Sequence, residues 1–334
     1  MRCVHLGQTG LQVSVFSLGA MTFGRESSEE ESRRMLTRYL DGGGNFIDTA
    51  NVYSTGVSEE IVGRFLQGFR EKVVLATKAF FRMEEGPYGA GASRKALLRA
   101  VEESLRRLRT DYIDLYQIHC WDLSTPIEET MDTLRTLIEQ GKVRYAGCSN
   151  FTGWQVVQSQ RTAAFSGWKG FASAQMQYSL IERGVEYEVL PACLDEGLSL
   201  LAWGPLGGGF LTGKYRSGEQ PTEGRIARAT EEQEESWSKR ATKRNFAVLA
   251  AIEEVAKNRE SSISQVAINW LLYREGVIPI VGARTLEQLE DNLGAEGWSL
   301  TDAEFERLSQ AGSMENLYPY RFIEWANKKV WGGG

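Results

Sequence analysis

The chain has 334 residues, 42% of them apolar and 25% charged, so it can bury a large core and needs no disordered segment to account for its composition. Its 38 basic and 44 acidic residues leave a formal charge of -6, which argues against a nucleic-acid surface because phosphate binding wants clustered Lys and Arg. There is no apolar leader at Met1-Arg2-Cys3-Val4-His5 and no run long enough to cross a bilayer, and the scattered Cys3, Cys120, Cys148 and Cys193 form no C-x-x-C pair, so reduced thiols in the cytoplasm, no membrane partner and no metal are expected.

Taken in chain order, Val4–Leu6 and Leu11–Ser14 flank the tight-turn signal Gln8-Thr9-Gly10 and predict an antiparallel hairpin that covers the lower end of a barrel built by the later strands. Apolar runs then alternate with amphipathic stretches, the pattern of βα units over a parallel sheet. The runs are Val15–Leu18, Asn45–Asp48, Val73–Lys78, Ile113–His119, Tyr145–Ser149, Ala172–Gln177, Leu198–Trp203 and Val277–Val281. They predict an α/β fold, a (β/α)8 TIM barrel, in a single domain covering residues 1–334.

Ser58–Leu66, Ser93–Leu108, Ile127–Gln140, Gly153–Arg161, Val185–Cys193 and Leu286–Leu293 read as helices. In Ser93–Leu108, Ala96, Leu97, Ala100, Val101, Ser104, Leu105 and Leu108 recur at helical spacing behind an N-cap serine. Arg106, Arg107 and Arg109 close that stretch and read as a solvated terminus suited to the negative end of a helix dipole. A long polar insertion, Tyr215 to Arg244, comes after the seventh strand, which places it on the face where strand C-termini emerge. Past Gly312 the tail carries Tyr318, Tyr320, Phe322, Trp325 and Trp331, aromatic enough to predict packing against the barrel; Gly332-Gly333-Gly334 is expected to fray.

Four polar residues close or trail these strands. Asp48 ends the second, Tyr53 lies in the loop after it, Lys78 ends the third and His119 the fourth. Side by side in one barrel they bring an acid, a phenol, an amine and an imidazole to the rim where this fold keeps its chemistry. A reaction that develops negative charge on a substrate oxygen needs a proton donor that stays protonated until then, and Tyr53 is the candidate. Lowering a phenol from pH ~10 by roughly two units takes about 2.7 kcal/mol. One ammonium about 4 Å away at an effective dielectric of about 20 offers on the order of 4 kcal/mol. Lys78 is therefore expected to lower the Tyr53 pKa, and Asp48 to keep Lys78 charged and fixed despite burial. His119 is expected to orient and polarise the substrate oxygen, or to share proton delivery with Tyr53.

Other chemical signals are weaker. His5 falls in the hairpin and is given no role; Cys120 has no second ligand pair for a metal; Trp121 is a candidate pocket wall. Gly208 to Lys214 fits G-x-x-x-x-G-K, but Tyr215 replaces the Ser or Thr that a P-loop needs for magnesium, so a nucleoside triphosphatase is not expected.

Several motifs in order resemble the aldo-keto reductase superfamily over essentially the whole chain. They are Leu18-Gly19-Ala20-Met21-Thr22-Phe23-Gly24, Asn45-Phe46-Ile47-Asp48-Thr49-Ala50-Asn51-Val52-Tyr53, Ala76-Thr77-Lys78, Asp114-Leu115-Tyr116-Gln117-Ile118-His119, Gly141-Lys142-Val143-Arg144-Tyr145-Ala146-Gly147-Cys148-Ser149-Asn150-Phe151 and Val281-Gly282-Ala283-Arg284. These stretches are most similar to bacterial-type, potassium-channel β-subunit-like and aryl-alcohol-dehydrogenase-like branches. The resemblance implies a barrel that binds NADPH or NADH without a Rossmann fold, and a catalytic tetrad of Asp48, Tyr53, Lys78 and His119.

It also implies cofactor contacts. Ser149, Asn150 and Gln175 would hold the nicotinamide carboxamide, with Trp203 stacked on the ring. The Gly204-Pro205-Leu206-Gly207-Gly208-Gly209 segment, with Leu211 and Lys214, would wrap the pyrophosphate, helped by Arg225 from the insertion. Gly282 and Arg284 would approach the adenosine end, where a guanidinium suits a 2′-phosphate and favours NADP over NAD, with Gln288, Asp291 and Asn292 at the adenine. The expected function is NADP-dependent hydride transfer that reduces small-molecule aldehydes or ketones, with Phe23, Tyr88, Trp121 and the tail suggesting aromatic or medium aliphatic carbonyls. Two alternatives compete: a Schiff-base lyase or aldolase using Lys78, and a non-catalytic redox-sensing partner subunit, which the lack of an extension before the hairpin disfavours.

Overall fold

The apolar runs become ten short strands in the computed structural model, which describes residues 1–332. β1 (Cys3–His5) and β2 (Gln12–Ser14) form the antiparallel hairpin. β3 (Ser17–Gly19), β4 (Phe46–Asp48), β5 (Val74–Ala79), β6 (Ile113–Ile118), β7 (Val143–Ser149), β8 (Phe171–Gln177), β9 (Ser199–Trp203) and β10 (Val277–Gly282) are parallel neighbours in that order, and β10 pairs with both β9 and β3. The sheet is therefore a closed barrel without free edges.

Alternate side chains on each strand face inward. Phe46, Val74, Ala76, Leu115, Ala172, Leu201, Ile278 and Ile280 form an inner apolar core, and Leu6 and Val13 of the hairpin join it from the N-terminal end. Backbone N–H groups of the hairpin tie it to that end, Gly7 N donating to the Ser199 side-chain Oγ (2.7 Å) and Gln8 N to Gly197 O (2.8 Å). With the bottom plugged, the opposite rim is the open mouth.

The outward faces pack on α1 (Glu29–Asp41), α2 (Val57–Phe65), α3 (Arg94–Leu108), α4 (Ile127–Glu139), α5 (Gly153–Phe165) and α6 (Val189–Asp195). Two four-residue helices, α7 (Arg225–Arg228) and α8 (Trp237–Arg240), lie in the insertion, and α9 (Lys243–Arg259), α10 (Ile263–Leu272), α11 (Leu286–Leu293), α12 (Asp302–Ala311) and α13 (Tyr320–Trp331) complete the chain. α1 shows the local logic: Ser28 caps it by accepting from Glu31 N, acidic residues fill its first turn, and Met35, Leu36 and Tyr39 form its buried stripe. Tyr39 lies over Gly44, where an added Cβ would collide with the ring, so only glycine lets the chain turn there into β4.

Three expectations need correction. Arg107 is not a solvated terminus: its Nε donates to Glu59 at 2.7 Å, and Glu59 is wholly buried and also accepts from Thr77 Oγ1 at 2.6 Å. A carboxylate trapped between α2 and β5 needs a cation, and α3 supplies it. The stretch Val185–Cys193 is broken, with a 3-10 turn at Gly184–Glu186 before α6. The aromatic tail does not pack into the core. Tyr320 stacks on Tyr187 with centroids 5.3 Å apart and donates to Glu188, yet Tyr318, Phe322, Trp325 and Trp331 are all exposed and α13 has no buried residue. The surface it meets offers one aromatic ring beside a carboxylate, too little apolar area to cover the helix's own. Gly333 and Gly334 lie outside the described residues.

The insertion is anchored. Tyr215 and Ile226 are buried, and Tyr215, Trp237, Phe210 and Phe246 form one aromatic cluster with centroids 5.2 to 6.5 Å apart. Polar composition hides this small core. Among the described residues no helix is long and apolar enough to cross a membrane, and all four cysteines are free.

Candidate active site

The four rim residues converge because their strands are neighbours. β4 and β5 pair with Asp48 opposite Ala76, β5 and β6 pair with Lys78 opposite Gln117, and His119 comes directly after β6, its N–H bonded to Ala79 O. Tyr53 comes from the loop after β4. There Ser54 (φ 49°), Thr55 (φ 53°) and Gly56 (φ 95°) are all left-handed, a sharp turn held by Ser54 Oγ donating to Phe23 O at 2.8 Å. Left-handed Ser and Thr are strained, and here the strain lies next to the phenol it aims.

Lys78 is wholly buried. Its Nζ donates to Asp48 Oδ1 and to Thr49 O (2.8 Å), and lies 4.8 Å from the Tyr53 ring centroid. Burial pushes the ammonium pKa down, but Asp48 and Tyr53 outweigh it, and the net shift is upward. Asp48 thus keeps the lysine charged as expected.

Tyr53 departs from expectation. Burial raises its phenol above the usual range, Lys78 and, more weakly, Arg225 pull it down, Asp48 pushes it up, and the net shift is upward. Lys78 acting alone would lower it; a closed barrel adds a desolvation cost larger than the ammonium's attraction. The phenol remains a neutral O–H donor.

His119 is held well below its usual pKa, first by burial and then by Lys78, so the ring is neutral. Its Nδ1 is sealed without a partner, which leaves Nε2 as the nitrogen available to a ligand. Its ring meets Tyr53 edge-on at 5.8 Å and Phe81 at 4.8 Å. Phe81 is exposed beside His119 and is an apolar group at the mouth that sequence reasoning misses; half-buried Trp121 packs on Phe151 and Trp154.

The expected dinucleotide contacts separate into groups. Ser149 and Gln175 are buried at adjacent strand ends, paired in register, and Asn150 comes next in a left-handed conformation, φ 56°. Asn150 Nδ2 donates to His119 O (2.9 Å) and to Ser149 Oγ (3.1 Å), while its Oδ1 accepts from Trp203 Nε1 (3.2 Å). This fixes the Trp203 ring at the end of β9. Gly204 (φ 66°) and buried Pro205 turn the chain into Leu206, after which Gly207, Gly208 and Gly209 are three consecutive left-handed residues. Such a run turns backbone N–H groups into a concave cradle that suits an anion. A Cβ at Gly209 would fall 3.4 Å from Lys214 Nζ, so bare backbone lets the lysine reach in; Leu211 is buried beneath.

Lys214 is lowered by burial and by the neighbouring charge of Arg284, and neither has a carboxylate within 4.0 Å among the described residues. Two neighbouring cations without a carboxylate partner fit a phosphate-bearing ligand. Arg225, by contrast, is already paired with Glu235, and its Nη2 lies 3.5 Å from Met21 Sδ, so the insertion crosses the mouth toward the loop after β3. Gly282 has open space at its Cβ position, and Gln288 Oε1 accepts from Arg284 N at 3.0 Å. Asp291 and Asn292 face inward: Asp291 accepts from Ser262 Oγ and Gln265 Nε2, and Asn292 donates to Gly282 O. They brace α11 against α10 and β10.

Known proteins resemble this chain over nearly its whole length. The family model described as Aldo/keto reductase family matches residues 16–312. The chain is 39% identical to the Uncharacterized oxidoreductase YrpG of Bacillus subtilis (strain 168), over 96% of each chain. It is 34% identical to the Versiconal hemiacetal acetate reductase of Aspergillus parasiticus, over 96% of this chain and 99% of that one. It is 33% identical to the Aryl-alcohol dehydrogenase [NADP(+)] of Phanerodontia chrysosporium, over 93% of this chain and 86% of that one.

Proposed function

The chain belongs to the aldo/keto reductase family, and from that premise we propose that it reduces aldehydes or ketones to alcohols with NADPH, Tyr53 donating the proton. The observation that carries this reading is the buried Asp48–Lys78 pair set against the Tyr53 ring at one barrel rim. When bound, the nicotinamide supplies the hydride. The chain's own residues do the rest. Tyr53 presents a neutral O–H to the carbonyl oxygen, and Lys78 stabilises the phenolate left after transfer. Neutral His119 donates from Nε2 to the same oxygen and orients it. Phe81 and the rings at the mouth exclude water and favour an apolar, aromatic substituent on the carbonyl; one relative, an aryl-alcohol dehydrogenase, is in keeping with that.

Residues that would hold the cofactor are Ser149, Asn150 and Gln175 at the carboxamide, Trp203 against the ring, and Gly207 to Gly209 with Lys214 at the pyrophosphate. Arg284 would meet the 2′-phosphate. Arg284→Ala is expected to raise KM for NADPH about 10- to 30-fold, the loss of one charge-assisted bond, with KM for NADH within about twofold. Equal changes for the two cofactors would remove the NADP assignment.

The Schiff-base alternative needs a lysine whose pKa is lowered so that it can act as a nucleophile. Lys78 is raised and ion-paired, which disfavours that role. A non-catalytic partner role leaves the complete tetrad unexplained.

The pH profile is set by the directions of the shifts. A Tyr53 raised above 10 is protonated throughout the physiological range, and a His119 lowered well below 6.5 is neutral there. kcat/KM for reduction is expected to vary less than about twofold between pH 7 and 9, with the fall only on the alkaline side as the phenol ionises. A histidine-like inflection between pH 7 and 8 would contradict the buried, neutral imidazole.

The direct test is a carbonyl panel followed at the nicotinamide absorbance with NADPH and NADH. Turnover of aromatic aldehydes with NADPH is expected; no oxidation of either cofactor by any carbonyl would overturn the reading.

A further inference from the structure

Gln117 is a buried polar side chain in the barrel that the reductase reading leaves without work. It lies on β6 two residues before His119, on the same inward face, and is wholly buried. Its Nε2 donates to Asp48 Oδ2 at 3.0 Å, and its Oε1 accepts from Gln175 Nε2 at 3.1 Å. Gln175 Nε2 donates at the same time to Asp48 Oδ2 at 2.9 Å. Asp48, Gln117 and Gln175 come from β4, β6 and β8, alternate strands of the barrel, as one layer of side chains across its axis should. Gly147 on β7 leaves room for this layer: it is paired with Gln117, and a Cβ there would fall 3.1 Å from Gln117 Cγ.

Donor and acceptor counting fixes both amides. A carboxylate only accepts, so each glutamine must turn its NH2 toward Asp48 Oδ2. Gln175 Nε2 has two hydrogens, and Asp48 and Gln117 take both. What Gln175 can still offer a ligand is its Oε1, an acceptor.

We propose that Gln117 is a positioning residue: with Asp48 it locks the Gln175 carboxamide with its oxygen toward the mouth, so that the site selects a ligand group that donates, such as the NH2 of a nicotinamide amide. The inference rests on the dinucleotide reading above and goes past it, because it assigns to a residue below the cofactor the choice between a donor and a methyl group on the cofactor ring. Without Gln117, Gln175 keeps one anchor, can swing about it, and loses its preference.

The test is binding, read by quenching of tryptophan fluorescence, of NADP and of its 3-acetylpyridine analogue, which replaces the amide NH2 with CH3. The wild-type protein is expected to bind NADP about tenfold more tightly than the analogue, the worth of one buried hydrogen bond. In Gln117→Leu that ratio is expected to fall to about two, with Gln117→Met, unbranched and of similar length, as the second variant should the first not fold. Gly147→Ala, which crowds Gln117, should lower the ratio in the same direction. A ratio unchanged in a folded Gln117 variant would overturn the positioning role and leave the reductase reading intact. If wild-type protein bound neither dinucleotide, the reductase reading itself would fall and this inference with it.

Discussion

Tyr53→Phe is expected to lower kcat for carbonyl reduction about 10²- to 10⁴-fold, the range for removal of a positioned general acid, while the dissociation constant of NADPH stays within about twofold. The change deletes one oxygen. The ring keeps its edge-on contact with His119 and its place above Lys78, so folding and cofactor binding should be spared and the loss should appear in turnover. That separation makes the experiment decisive, because no packing defect is offered to explain a slow enzyme. His119 is the rival donor. If it carried the proton alone, Tyr53→Phe would cost less than about tenfold and His119→Gln would carry the large loss instead. Unchanged turnover of every accepted carbonyl would withdraw Tyr53 from the mechanism.

Lys78→Met is expected to destabilise the fold by about 3 to 5 kcal/mol as well as to abolish reduction, because it leaves the Asp48 carboxylate buried without its cation. The two glutamine amides that bond Asp48 Oδ2 soften this loss without neutralising the charge. The companion variant Asp48→Asn with Lys78→Met removes both charges and keeps a polar group for the glutamines. It should recover most of the lost stability in denaturant melts, since a buried pair replaced on both sides costs far less than one broken on a single side. Its activity should not return, because nothing then stabilises the phenolate. Recovery of activity along with stability would show that the pair is only structural. No loss of stability in Lys78→Met would mean that Asp48 takes up a proton at little cost, and the charge-holding role assigned to it would fail.

The two experiments probe different links of one chain. Tyr53 tests the chemistry at the mouth; Lys78 tests whether the barrel interior holds the charges that support it.

Much of this molecule is legible in its sequence, and the reason is period. Strand runs of four to seven apolar residues separated by helical stripes in Ser93–Leu108 or Ile127–Gln140 admit few arrangements besides βα repeats, and polar residues ending such runs must sit at the rim. Asp48, Lys78 and His119 stand out in this way, and Tyr53 through the motif around it. Gln117 carries the same period-two signal, two residues before His119, but a glutamine in an apolar strand draws no notice until its partners are known. Arg107 misleads because its partner, Glu59, lies 48 residues earlier on another helix. The tail misleads because aromatic composition states what a helix would bury and not whether a matching surface exists.

The sequence by itself determined the eightfold βα order, the rim placement of the four polar residues and the chemical types available there, because these depend on local periodicity and on which side of a strand a residue occupies. Only the tertiary structure decided the electrostatics. Burial inside a closed cylinder raises Tyr53 where an isolated ammonium would lower it, neutralises His119, and leaves Lys214 under the charge of Arg284 while Arg225 is matched by Glu235. Desolvation and charge pairing depend on every group within a few ångströms, and those neighbours come from strands and loops far apart in the chain.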